Sequence, residues 1–96
     1  MKAERRVLIV NPSGLHARPA ARLVQAASGF ACSIQITDLT TGTGPVDAKS
    51  ILRVLTLGAD SGHEILIVTE GEGAEAACNF MADLVANELP AIDRAG

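Results

Sequence analysis

The sequence predicts an α+β fold in which a mainly antiparallel sheet is covered by helices on one side. Some segments alternate apolar and polar residues, and others repeat apolar residues every three or four positions. Turn-forming residues separate these segments, whose order is β-α-β-β-α-β-α. Strands with one apolar face and helices with one apolar stripe bury those surfaces by stacking as two layers. A chain of 96 residues has room for one such core.

The first half of the chain predicts a strand, a helix and a second strand. The run RRVLIV at 5–10 is rich in apolar and β-branched residues and stops at Asn11, which is typical of a strand. A helix is expected to begin at His16 or just after it, because Pro19 then falls in the first turn, where its missing N–H costs nothing. The segment 30–37 alternates with a period of two, which predicts a half-buried strand.

The second half predicts a weak edge strand, a short helix, a strand and a closing helix. The glycine-rich segment 38–48 predicts a turn that contains a short edge strand, whose pairing register the sequence does not determine. We expect a helix from about Ser50 to Leu57 and a strand over 63–70. Helical periodicity then continues over 71–89.

Composition and charge narrow the classes of function. The net charge is −3, the chain lacks Trp and Tyr, and no basic stripe is visible, so nucleic-acid binding is not expected. No apolar run approaches the roughly 20 residues that span a bilayer, and the run at 7–10 is too short for a signal peptide. We therefore expect a cytoplasmic protein without membrane insertion. Cys32 and Cys78 lack metal-site spacing and are expected in the core.

His16, within NPSGLHARPAARL, is the strongest candidate for chemistry. It stands at a helix N-terminus, where free N–H groups bind phosphate readily and partial positive charge keeps an imidazole neutral. A neutral imidazole can attack phosphorus as a nucleophile. The N–H groups of Ala17 and Arg18 are expected to hold the phosphoryl oxygens, and the Arg18 guanidinium to offset their charge. Gly14 lets the backbone bend closely around this site.

Other roles for this histidine stay open at this point. His16 could be a simple helix cap and Arg18 a solvated charge. A metal site is not expected, because the other histidine, His63, reads as an exposed residue at a strand start and no Cys/His cluster has ligand spacing. A Ser-His-Asp arrangement needs a fixed nucleophile and a buried acid, and the sequence marks neither.

The second helix predicts a docking surface. Ser50 is expected to cap it, and Val54 and Leu57 are assigned to the core. Its apolar arc spans roughly 220°, more than a helix packed on a sheet can bury. The surplus predicts a partner-docking face of three apolar residues flanked by two cations: Ile51, Leu52 and Leu55, with Lys49 and Arg53. The alternative is that the 38–48 loop buries this face.

Two segments resemble one known family. GLHARPAARL is similar to the active-site segment of HPr, the histidine-containing phosphocarrier of the bacterial phosphoenolpyruvate-dependent phosphotransferase system. AKSILRVLTLGADSGHEILI at 48–67 resembles the second signature of that family, where a serine opens the short second helix. The resemblance runs from about residue 5 to 89, so we interpret 1–90 as one phosphocarrier domain and 91–96 as a frayed tail. It implies an open-faced β-sandwich, a four-stranded antiparallel sheet with three helices on one face.

The resemblance also implies site roles and partners. His16 would accept a phosphoryl group on Nδ1 from phospho-Enzyme I and pass it to a histidine of a sugar-specific or dihydroxyacetone-specific component. Arg18 would compensate charge. Such a carrier turns over no substrate alone, needs no metal or organic cofactor, and is expected to be a monomer. Ser50 matches the serine that an HPr kinase/phosphorylase modifies in some bacteria, where the added charge would block docking of Enzyme I.

Two competing functions belong to other classes. One is a regulatory interaction protein that docks through the second helix with Ser50 as its switch, although the presence of both His16 and Arg18 argues against this as the sole role. The other is a small-molecule-binding module that uses the helix N-terminus as an anion site. That reading leaves the exposed apolar face unexplained.

Overall fold

A computed structural model describes residues 1–95, and its elements follow the predicted order. The four strands form one antiparallel sheet in the order β1-β4-β2-β3, which confirms the α+β fold class. The strands are β1 (Lys2–Leu8), β2 (Ser33–Asp38), β3 (Thr43–Asp47) and β4 (Glu64–Glu70). The helices are α1 (Ala17–Ser28), α2 (Ile51–Thr56), α3 (Ala74–Asp83) and α4 (Leu89–Arg94), with a π-helical turn (Leu84–Glu88) joining the last two.

One face of the sheet carries the core. Alternate residues of the two central strands are buried, and Ile36 of β2 lies opposite Ile67 of β4 in the register. Their neighbours Ser33, Gln35 and Glu64 are exposed on the opposite face. The helices and the π-helical turn cover the buried face and contribute these fully buried apolar side chains: Leu23, Val54, Met81, Leu84, Val85 and Leu89. This division into a covered and an open face is what the period of two predicts.

The edge strand in the glycine-rich segment is real but short. β3 pairs with β2 through Gln35 opposite Asp47 and Ile36 opposite Val46, and the register then shifts before Asp38. All of β3 except Val46 is exposed. The shift lies beside Asp38, whose side chain turns inward and is fully buried.

The C-terminal segment differs from expectation. Residues 91–94 are helical rather than frayed, and the helical path runs on from Ala74 to Arg94. Pro90 lacks an N–H, and its ring crowds the carbonyl four residues earlier, which breaks a regular helix. Here the turn before Pro90 widens, and the N–H of Leu89 bonds the carbonyl of Leu84 five residues back. The wider turn lets the helix continue, and the buried Leu89 fixes it to the core.

Contacts with α1 hold this last helix in place. The Arg22 guanidinium pairs with the Glu88 carboxylate through two hydrogen bonds. α4 packs against α1, so the C-terminal residues lie beside the helix that begins at His16. Within residues 1–95, no helix combines the length and the apolar composition that crossing a bilayer requires.

Candidate active site

His16 stands immediately before α1, as the sequence predicts. Its backbone is extended, with φ −129° and ψ 167°, and its carbonyl accepts the N–H of Ala20 at 3.2 Å. Its imidazole makes no capping bond to the helix, so the side-chain cap role is not what the structure shows. The side chain is 42% exposed. The ring is therefore held at a helix N-terminus and is accessible to a partner.

The first helical residue has an unusual backbone. Ala17 has φ +48°, the left-handed region that residues with a Cβ rarely adopt. Such strain persists only where the surrounding structure holds it, and it concentrates at functional sites. The N–H groups of Ala17 and Arg18 belong to the first turn, where a helix supplies no carbonyl partner for them. They are donors positioned beside the imidazole.

The loop before His16 packs directly on the segment between α2 and β4. The N–H of Leu15 donates to the carbonyl of Ala59 at 2.9 Å, and the Leu15 side chain is fully buried. Gly14 has φ +60°, and a Cβ placed there would lie 2.5 Å from the Ala59 oxygen and 2.9 Å from the Asp60 Cα. Glycine is required here for its left-handed backbone and for the lack of space.

That close approach brings an acid to the histidine. Oδ1 of Asp60 lies 3.0 Å from Nε2 of His16, with the Asp60 side chain 65% exposed. An ionised carboxylate only accepts hydrogen bonds, so a proton on Nε2 would satisfy this contact and leave the lone pair on Nδ1. No sequence pattern predicts this contact, because the two residues are 44 positions apart and no motif connects them.

Arg18 lies near a second acid, Asp93, which the sequence pattern does not predict. Asp93 of α4 accepts the N–H of Ser13 at 2.9 Å and the side-chain amide of Asn11 at 3.1 Å. The Ser13 N–H, above all, holds the pKa of Asp93 below its ordinary value, and Asn11 and the positive charge of Arg18 add to this effect. Arg18 itself is exposed. The C-terminal helix thus fixes the loop in front of His16.

His63 is half-buried and paired, which corrects its expected exposure. Its Nδ1 lies 2.7 Å from Oδ2 of the buried Asp38, which also accepts the N–H groups of Thr40 and Thr41. Burial by itself would raise the pKa of Asp38, but the bonds from His63, Thr41 and Thr40 outweigh it and lower that pKa. The backbone N of Asp60 lies 3.2 Å from the same Nδ1, so His63 contacts both Asp38 and the backbone of Asp60. The contact between His63 and Asp38 attaches the segment 59–63, which includes Asp60, to the end of β2.

The second helix is capped by Ser50, and its two predicted core residues are buried. Oγ of Ser50 accepts the N–H of Arg53 at 3.3 Å, which satisfies one of the free donors of the first turn. Val54 is fully buried and Leu57 is 3% exposed, so both belong to the core.

The predicted docking face is exposed, with one correction. Leu52 is 73% exposed, and Ile51 and Leu55 are 39% and 40% exposed, so the 38–48 loop does not cover them. Arg53 is also exposed. Lys49 differs, because its Nζ donates to the carbonyl of Phe30 at 2.7 Å. Its ammonium group is committed to the turn between α1 and β2 and does not flank the apolar face as expected.

Among residues 1–95, no three His, Cys, Asp or Glu side chains lie close enough together to hold a metal ion. Cys32 and Cys78 are free thiols in the core. Burial raises the pKa of the Cys78 thiol. The site described here brings together one imidazole, one guanidinium and two carboxylates.

Known proteins are similar to this chain in sequence and in fold. The family model described as "PTS HPr component phosphorylation site" matches residues 3–87. Phosphocarrier protein HPr of Streptomyces coelicolor is 47% identical over 87 residues, 91% of each chain. The multiphosphoryl transfer protein of Haemophilus influenzae is 40% identical over 81 residues, 84% of this chain but only 16% of that protein. The crystal structure of HPr from Bacillus anthracis superposes with a TM-score of 0.81 at 39% identity, covering 88% of this chain and 96% of that one.

Proposed function

The chain belongs to the HPr family, the phosphocarriers of the phosphotransferase system, and from that premise we propose which residues carry the phosphoryl group. His16 accepts it on Nδ1 from phospho-Enzyme I and later gives it to a histidine of a downstream component. One observation supports this most strongly. The imidazole lies accessible at a helix N-terminus, with Nε2 3.0 Å from Oδ1 of Asp60 and Nδ1 outside that contact.

The transfer step follows from that geometry. The Nδ1 lone pair attacks phosphorus while the bond between phosphorus and the donor nitrogen breaks, and that electron pair returns to the donor. The N–H groups of Ala17 and Arg18 donate to the phosphoryl oxygens, and the Arg18 guanidinium offsets their charge. Transfer to the acceptor is the same step in reverse. The protein is a covalent carrier and turns over no substrate by itself.

The partners dock on the apolar face of α2. Ile51, Leu52 and Leu55 form an exposed apolar patch, and Arg53 supplies positive charge beside it. α2 packs against α1, so a partner seated on this patch reaches His16 as well. We propose Enzyme I as the donor, and a sugar-specific or dihydroxyacetone-specific component as the acceptor, at this one surface.

A second, regulatory function is supported by the position of Ser50. Its hydroxyl caps the helix that carries the docking patch, and its side chain is only partly buried. Phosphate at this position adds about −1.5 to −2 charges next to the patch, which opposes docking through repulsion and desolvation. An HPr kinase/phosphorylase is the enzyme that would install it. This function complements the carrier role and does not replace it.

Labelling with phosphoenolpyruvate and Enzyme I tests the carrier proposal. We expect wild-type protein to gain an acid-labile, base-stable phosphate, and His16→Ala to gain none. Glu75→Ala is the matched control, because Glu75 is exposed in the first turn of α3 and is not one of the site residues described above. Label that persists in His16→Ala, or its absence from the wild type, would show that the acceptor is wrongly assigned.

A further inference from the structure

Asp60 lies against the nitrogen of His16 that does not attack phosphorus. Its Oδ1 is 3.0 Å from Nε2. We propose that Asp60 is a positioning residue for phosphoryl transfer, which selects the imidazole tautomer with a free Nδ1 and compensates the charge that the ring gains. This inference rests on His16 being the phosphoryl acceptor.

The tautomer argument follows from the hydrogen-bonding capacity of the two groups. A neutral imidazole carries one proton, on either Nδ1 or Nε2, and only the unprotonated nitrogen can attack. An acceptor-only carboxylate at Nε2 favours the form with the proton on that nitrogen. Every neutral His16 bonded to Asp60 therefore presents the Nδ1 lone pair, whereas a ring without this acceptor divides between two forms.

The same contact serves the transfer step. When Nδ1 shares its electron pair with phosphorus, the ring becomes positively charged, and the Nε2 proton stays in place. The Asp60 carboxylate then faces an imidazolium N–H, and a hydrogen bond between charged groups is stronger than a neutral one. When the phosphoryl group leaves, the electron pair of the bond between nitrogen and phosphorus returns to Nδ1. No proton has to move in either direction.

The fold holds Asp60 in this position from two sides. On one side, Gly14 packs against the backbone of Ala59 and Asp60 with no room for a Cβ, and the Leu15 N–H bonds the Ala59 carbonyl. On the other side, His63 bonds the buried Asp38 at 2.7 Å and fixes the end of the same segment to β2. An exposed carboxylate on a loop is usually mobile, but here its backbone is supported on both sides.

Nitrogen NMR of the unphosphorylated protein tests the tautomer directly. At about pH 9, where an ordinary imidazole is neutral, the ring nitrogens of ¹⁵N-labelled protein report which one carries the proton. We expect wild-type His16 to be protonated on Nε2 alone and Asp60→Ala to show a mixture of both forms. Asp60→Asn is an isosteric variant whose amide also donates, so it is expected to show a mixture too. Glu75→Ala, with the same loss of charge, should match the wild type.

Initial rates of labelling by Enzyme I test the consequence. We expect Asp60→Ala and Asp60→Asn to accept the phosphoryl group about two- to fivefold more slowly, the range expected of an exposed charge pair, with Glu75→Ala unchanged. Both readouts must change, and a wild-type tautomer or a wild-type rate in the Asp60 variants would overturn the inference. Label on His16→Ala would instead remove the proposed acceptor, so the two failures are distinguishable.

Discussion

Replacing Gly14 by alanine is expected to destabilise the protein by several kcal/mol and to displace the active-site loop. The new Cβ would lie 2.5 Å from the Ala59 oxygen and 2.9 Å from the Asp60 Cα, both backbone atoms that cannot rotate away. The left-handed backbone at φ +60° costs an L-residue about 1 kcal/mol. Forcing the backbones apart adds about 1–3 kcal/mol. The sum, about 2–4 kcal/mol, is a large part of the stability of a small domain.

Gly58 offers a matched control within the same chain. It has φ +59°, almost the angle of Gly14, but a Cβ there meets nothing within 4 Å. Gly58→Ala therefore has the backbone cost alone, about 1 kcal/mol. Urea unfolding of both variants measures the two losses, and their difference isolates the contact between the loop and residues 59–60.

The two variants also differ in the expected effect on activity. Gly14→Ala moves the loop away from Asp60, so its rate of labelling by Enzyme I should fall, whereas Gly58→Ala should stay closer to the wild type. Equal losses of unfolding free energy in the two variants would refute the reasoning, because the close packing of Gly14 would then have no energetic consequence.

Three further predictions concern the groups around the site. The pKa of Asp38 is lowered in the folded protein, so its stabilising contribution is complete above the unfolded value of about 3.9 and is lost as the pH falls through the folded pKa. Urea unfolding at a series of decreasing pH values should show the free energy of unfolding falling in acid, and falling less steeply with pH in Asp38→Asn. An equally steep fall in the variant would count against the pairing with His63. Ser50→Ala removes the cap of α2 and should lower the free energy of unfolding by about 1 kcal/mol, and an unmoved urea midpoint would contradict this. Leu52→Ser alters a side chain that is 73% exposed, so stability should change by less than about 0.5 kcal/mol while the KM of Enzyme I for the carrier rises; an unaltered KM would place docking elsewhere.

Local patterns were sufficient to predict the start of α1 and the faces of α2. The change from a period of two to helical spacing, with Pro19 in the first turn, predicts a start at His16 or just after it, and α1 begins at Ala17. The 100° spacing of a helix separated the buried Val54 and Leu57 from the exposed Leu52. The start of a helix and its buried face depend on residues that are close together in the sequence, and the spacing of apolar residues reports on those residues.

The acids around His16 could not be predicted in this way. Asp60 reaches the imidazole only because Gly14 lets two distant backbones touch, and nothing in either segment records that contact. Asp93 lies in the segment predicted to be a frayed tail, but a π-helical turn carries the helix past Pro90 and through Asp93. Lys49 has the charge expected beside a docking face, but its ammonium group donates to the backbone carbonyl of Phe30. Each of these outcomes is set by tertiary contacts.

The identity of the phosphorylated atom tests the central claim most directly. The chain has two histidines, and each has two ring nitrogens, so ¹⁵N-labelled protein phosphorylated by phosphoenolpyruvate and Enzyme I offers four candidate positions. Scalar coupling between phosphorus and nitrogen identifies which one is bonded. We predict coupling to Nδ1 of His16, with the proton retained on Nε2. Coupling to Nε2 of His16, coupling to His63, or phosphate with no nitrogen partner would contradict the account.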